Sequence, residues 1–183
     1  QEQKQNLNRK RFYQNLRRVM GKFTNKILAE FQPPRKWKLG RDLVYTTTDL
    51  YANEIKALKD VGVSVVRDTN KTETITVPSE FITDLASTPR ILWAFIAPFD
   101  VARAAIVHDL LYKSIRQYRW KVAKTAPGED KELIKNAKVA ADKVFLLAMK
   151  DAEPKVSGWK IYSAWKAVDL FGRWSIIPNE DNI

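Results

Sequence analysis

Residues able to move protons or hold a cation gather in three short stretches of this chain: Asp84 with Ser87, then His108, Asp109 and Tyr112, then Asp142. His108 is the only histidine. In a helix starting near Asp100 it shares a face with Val101, Ala104, Ala105, Leu111, Tyr112 and Ile115, so the imidazole points into the core. Asp109 lies one step round, nearer the edge and within i+4 reach of Lys113. The small residues one turn before the histidine leave room for another segment or a substrate. On the next helix, Asp142 falls on a stripe with Val139, Phe145, Leu146 and Met149, where a carboxylate needs a partner because burying it unpaired is costly. Two helices joined by a short connection pack antiparallel, which would bring Asp142 to His108. A carboxylate on one ring nitrogen fixes the tautomer and leaves the other nitrogen as a general base. Asp84, in the stretch Phe81 to Pro89, adds a second carboxylate beside Asp109, and an oxygen-rich pocket of this kind suits calcium or another divalent cation.

The same residues admit a purely structural reading. A lone core histidine is commonly a satisfied packing group. Asp109 with Lys113, and Asp142 with Lys135 or Lys138, make ordinary helix salt bridges. Asp84 and Ser87 fit an Asx-type turn and the cap of a short helix after Pro89.

The elements that must position these groups read as an α+β chain. Leu43–Thr47, Ser64–Arg67 and Thr74–Val77 are β-branched or aromatic and predict a small antiparallel sheet, the last two joined by a polar turn at 68–72. A short helix is expected over 50–60 and another over 90–96. A core of three helices follows, over about 100–120, 129–152 and 156–173. Ahead of the sheet, residues 3–31 space Phe12, Leu16, Val19, Met20, Phe23, Ile27, Leu28 and Phe31 by threes and fours, predicting a basic amphipathic helix that Pro33–Pro34 ends. The expected organisation is an arm over 1–32, a linker over 33–40, a compact domain over 41–178 and a tail over 179–183.

Net charge is +11, from 32 basic and 21 acidic residues, and eight of the basic ones fall in residues 1–30 against only Glu2 and Glu30. Such a surplus attracts polyanions: nucleic acid, anionic lipid or an acidic protein surface. There is no cysteine, which excludes a disulfide framework or thiolate metal site. No hydrophobic stretch is long enough to span a bilayer. A chain that starts at Gln1 suggests processing, a leader or trimming.

Four patterns in order, Phe81-x-Thr83-Asp84-x-Ala86-Ser87-x-Pro89, His108-Asp109-x-x-Tyr112, Ala141-Asp142-x-x-Phe145 and Ala167–Gly172, resemble a family of tailed-phage and prophage proteins of unknown function over about residues 70–175. More distantly, the His-Asp-x-x-Tyr and Ala-Asp-x-x-Phe pair is similar to the core of secreted and parvoviral phospholipases A. That likeness implies His108 as the base that activates water, Asp109 as a calcium ligand, Asp142 as the group orienting the histidine and Tyr112 as a supporting donor. Residues 81–89 hold no glycine, unlike the calcium loop of those enzymes.

Three functions follow as expectations. The first is a phage virion or tail-associated structural protein, made in the host cytoplasm and oligomeric within the particle, whose basic arm docks on another virion subunit. The alternative is a phospholipase-like or envelope-degrading hydrolase using His108 and Asp142 with a cation at Asp109. The second alternative is binding of DNA or anionic membrane through residues 1–30. The aromatic load of the last helix, Trp159, Tyr162, Trp165, Phe171 and Trp174, suits a lipid interface or, as the preferred reading, completion of the core.

Overall fold

The structure, a computed structural model, describes residues 21–34, 36–83, 101–125, 130–153 and 155–183. Alternating burial builds its main sheet. In β4 (Leu43–Thr47) and β6 (Glu73–Val77) every second residue is buried, and the antiparallel register sets Leu43 against Val77, Tyr45 against Ile75 and Thr47 against Glu73. β5 (Val65–Arg67) extends this sheet on one side and β1 (Lys22–Phe23) on the other, giving the order β1-β4-β6-β5. Asp68 closes the β5–β6 turn by accepting the backbone N–H groups of Asn70 and Thr72 at 2.8 and 2.9 Å. The second sheet has the order β2-β3-β7, from β2 (Ala29–Gln32), β3 (Lys36–Leu39) and β7 (Ile82–Thr83).

Two expectations fail here. The helix expected over 3–31 does not extend through its described part: residues 22–23 and 29–32 are strands. Half of the expected linker over 33–40 is β3. Strand pairing is the cause of both: β1 pairs with β4, and β2 with β3. Phe31 and Trp37 sit opposite each other across a β2–β3 hairpin, ring centroids 5.1 Å apart, a cross-strand pair of the kind that stabilises a sheet. The period-two order of Ala29-Glu30-Phe31-Gln32 was the available signal. The earlier part of the arm, residues 1–20, lies outside the described residues, as do the short helix expected over 90–96 and Asp100, where the next helix was expected to start.

Among the described residues four helices follow the predicted order: α1 (Ala52–Asp60), α2 (Ala102–Thr125), α3 (Lys131–Lys150) and α4 (Gly158–Ser175). Asp130 caps α3, its side chain accepting from Leu133 N–H at 2.9 Å. α3 runs back along α2 and is packed by α1 and α4 on its other sides. The contact faces carry Ala104, Ala137, Ala140, Ala141 and Ala164, all fully buried, and small side chains let helix axes approach closely. One apolar cluster joins the main sheet to all four helices. Glu54 ties α1 to α3: it accepts Tyr51 N–H at 2.8 Å and the Lys143 ammonium at 2.6 Å.

Gly21 meets this core at a tight point. A side chain there would overlap the carboxylate of Asp151 and the carbonyl of Thr46. Asp151, at the end of α3, also accepts the Tyr45 hydroxyl at 2.7 Å, and burial raises the pKa of both groups. The compact domain therefore takes in β1, well before residue 41.

Candidate functional site

α2 is buried all round in its first half and opens to solvent after Ile115, so His108, Asp109 and Tyr112 belong to its inner half. His108 is 1% exposed and Asp142 4%. The two meet as the spacing required, with His108 Nε2 3.2 Å from Asp142 Oδ1. The same oxygen accepts the Tyr112 hydroxyl at 2.7 Å. The other oxygen takes the Lys138 ammonium at 2.6 Å, which also donates to the carbonyls of Val168 and Asp169 at 3.3 Å each. The imidazole is covered by the rings of Tyr112 and Phe145, at centroid distances of 4.0 and 4.8 Å. Asp142 is thus a hub joining α2, α3 and, through Lys138, α4.

One detail of the predicted stripe is wrong. Val139 is 53% exposed and faces away from Asp142. Burial of α3 follows Ile134, Ala137, Ala140, Ala141, Val144, Phe145 and Ala148, and places Asp142 at the margin of that face, where Lys138 can cover it. Of the two lysines considered, Lys138 is the partner.

Opposing forces act on the Asp142 carboxyl. Burial pushes its pKa up, but hydrogen bonding and attraction from His108 and then Lys138 outweigh burial and hold it below the usual carboxylate value of 3.8. Tyr112 is pushed upward by burial first and the neighbouring Asp142 charge second, so its hydroxyl remains a donor. A carboxyl whose pKa is lower folded than unfolded contributes stability above its unfolded value and loses it as pH falls through its folded value. Glu73 and Asp151, both raised chiefly by burial, act in the opposite sense. Acidification below about 3.8 is therefore expected to destabilise the wild type more steeply than Asp142→Asn in pH-dependent thermal melts. Parallel curves would remove the charge of Asp142 from the account.

Asp109 does not join this hub. Its carboxylate accepts the hydroxyl of Thr83 from β7, a strand held by the pairing of Trp37 with Thr83. Lys113, which the spacing had placed within reach of Asp109, has its ammonium over the Phe81 ring instead, 5.6 Å from the centroid. Asp109 lines a cleft of about 340 Å³ with Thr83, Lys36, Lys113, Arg116 and Asn182. Arg116 donates to the carbonyls of Ser175 and Asn182, which ties residues expected to form a tail to α2. Among the described residues no group of three His, Asp or Glu side chains could hold a metal ion. The described lining around Asp109 opposes a calcium ion by its charge: the carboxylates of Asp109 and Asp181 and the hydroxyls of Thr83 and Ser175 share the cleft with the cationic side chains of Lys36, Lys113 and Arg116. Asp84 and Ser87, the other expected contributors, lie outside the described residues.

Sequence reasoning missed Gly172. It faces inward on α4, and a side chain there would overlap the Tyr112 hydroxyl and press on Lys138 Cε at 3.2 Å. A glycine one turn after Val168 on the apolar face was the signal, because glycine inside a helix costs stability unless a neighbour needs the space. Thr83, inside the first of the four sequence patterns, is the second such residue, since its hydroxyl donates to Asp109.

A family model described as a protein of unknown function, DUF1353, matches residues 60–168, more than half of the chain. The chain belongs to that family. The DUF1353 match runs from the end of α1 into α4, so it takes in Thr83, His108, Asp109, Tyr112, Lys138 and Asp142 and stops four residues short of Gly172. The strands β1 to β4 precede the DUF1353 segment although they complete both of its sheets. No curated protein and no solved structure matches the chain.

Proposed function

We propose that this DUF1353 protein is a non-catalytic accessory component of a phage virion or tail, in which the His108–Asp142 pair braces the helical core and the basic N-terminal residues dock on another subunit. The observation that carries the non-catalytic part is the saturation of the site: His108 is 1% exposed, and the Asp142 oxygens are engaged by His108, Tyr112 and Lys138. A general base must reach the proton it abstracts within hydrogen-bond distance, and a ring enclosed by Tyr112 and Phe145 presents little to a substrate. Support for the particle role comes from the four ordered patterns that resemble tailed-phage proteins and from the cationic surplus of residues 1–30.

The experiment has two arms. The full chain, assayed on a generic ester and on phospholipid with and without calcium, is expected to give no turnover above the blank. Turnover that His108→Gln removes would establish the hydrolase instead, for which the 3.2 Å His108–Asp142 contact is the favouring geometry. In the second arm, charge reversal at Arg9, Lys10 and Arg11 is expected to reduce incorporation into particles to background. Unchanged incorporation would sink the docking role.

A further inference from the structure

α4 has two apolar faces, and among the described residues only one of them is packed. Ile161, Ala164, Val168 and Gly172 are buried against the other helices, with Tyr162 and Trp165 packed at the margin. Trp159, Leu170, Phe171, Trp174 and, just beyond the helix, Ile177 are 50–57% exposed. The expectation that the aromatic residues of this helix complete the core therefore holds for Tyr162 and Trp165 and fails for Trp159, Phe171 and Trp174. The reason is helical phase. Residues 159, 170 and 174 fall close to one line opposite Ile161, about 100° of rotation being added per residue. Trp159 and Trp174 mark the ends of a strip roughly 22 Å long at 1.5 Å per residue.

We infer that this outer face of α4 lies flat on the surface of an anionic lipid bilayer, with its rings and aliphatic side chains at the headgroup–acyl boundary. Charge complementarity selects this occupant. Between Lys155 and Ile177 there are four cations, Lys155, Lys160, Lys166 and Arg173, and one acid, Asp169, which is already bridged to Lys166 at 3.1 Å. The cations rim the apolar strip: Arg173 lies over the Trp174 ring at 4.1 Å and Lys166 over the Trp165 ring at 4.9 Å. Tryptophan between aliphatic residues and basic side chains is the composition of an interfacial helix, the indoles at headgroup level and the cations on lipid phosphates. The same rings are poorly arranged for single-stranded nucleic acid, which stacks bases on open aromatic faces. Here Trp174 carries Arg173 on its face and Phe171 beside it at 5.9 Å, while Leu170 and Ile177 offer a base nothing to stack on. No described helix is long and apolar enough to cross a membrane, which agrees with a helix lying along the surface.

The test uses the full chain and flotation with phosphatidylcholine vesicles, with or without phosphatidylglycerol. Binding is expected only with phosphatidylglycerol, together with a blue shift of tryptophan emission. The double variant Leu170→Ser, Trp174→Ser changes exposed side chains and is checked for an unaltered circular dichroism spectrum. It is expected to lower vesicle partitioning at least tenfold, and Lys166→Glu with Arg173→Glu to do the same. Equal binding by the α4 variants and the wild type would assign any lipid affinity to the basic N-terminal residues and overturn the inference. So would an oligonucleotide bound in place of vesicles, or self-association that the double serine variant abolishes without lipid.

Discussion

Asp142→Ala is expected to lower the melting temperature by roughly 10 °C, the largest effect of any single side-chain truncation in the polar site. The wild-type carboxylate receives His108, Tyr112 and Lys138, and it sits at 4% exposure. Removing it strips three buried or nearly buried donors of their acceptor at once. Breaking a buried ion pair on one side costs about 3–5 kcal/mol, because the remaining charge is left uncompensated. Lys138 retains two carbonyl acceptors on α4, which places the expectation near the lower end, about 3 kcal/mol. For a domain of this size each kcal/mol shifts the midpoint by roughly 2–4 °C. Asp142→Asn keeps an acceptor for Tyr112 but turns an amide donor or a neutral oxygen toward Lys138, so its loss should be smaller, about 2 kcal/mol. Thermal melts of the two variants at neutral pH check this. A melting point for Asp142→Ala within 2 °C or so of the wild type would mean that water replaces the carboxylate freely, and the hub would lose its structural role.

The second prediction concerns Gly172 and reverses the usual sign of a helix substitution. Gly→Ala inside a helix ordinarily stabilises by roughly 0.5–1 kcal/mol. Here the added methyl overlaps the Tyr112 hydroxyl, so α4 must shift or the Tyr112–Asp142 bond must break. Overpacking of this kind costs about 1–3 kcal/mol, which leaves a net loss of about 1–2 kcal/mol for Gly172→Ala. Tyr112→Phe alone gives up a bond to a charged acceptor, worth about 1.5–3 kcal/mol, yet it removes the atom in conflict. The double variant is therefore expected to lose less than the sum of the singles by roughly 1 kcal/mol, a coupling that denaturant titration of all four proteins resolves. Strict additivity would show that Gly172 and Tyr112 do not contend for the same space.

Both predictions depend on positions of unequal visibility in the sequence. The chain order of β4, β5, β6 and the four helices is local, carried by alternation in the strands and by three- and four-residue spacing in the helices, and periodicity reads it directly. The meeting of His108 with Asp142 follows from the same logic, because two amphipathic helices with a short connection have few ways to face one another. Lys138 lies one helical turn before Asp142, so it too was within reach of spacing rules.

Three features were decided only by contacts between distant segments. Residues 22–32 carry an apolar spacing compatible with a helix, but β1 pairs with β4 and Phe31 pairs with Trp37, and strand pairing won over local pattern. Asp109 satisfies every rule for an i+4 bridge to Lys113, yet it takes Thr83 from a strand 26 residues earlier. Gly172 looks like a weak point in α4 until Tyr112 is set beneath it. Local spacing along the chain was enough to show where helices would run and that an imidazole and a carboxylate would share one interior. Which cation, hydroxyl and glycine completed that interior, and which face of α4 stayed outside, depended on how the helices pack. Periodicity reports the orientation of a side chain about its own axis, whereas the partner it meets depends on the distance and rotation of another axis, which no local pattern encodes.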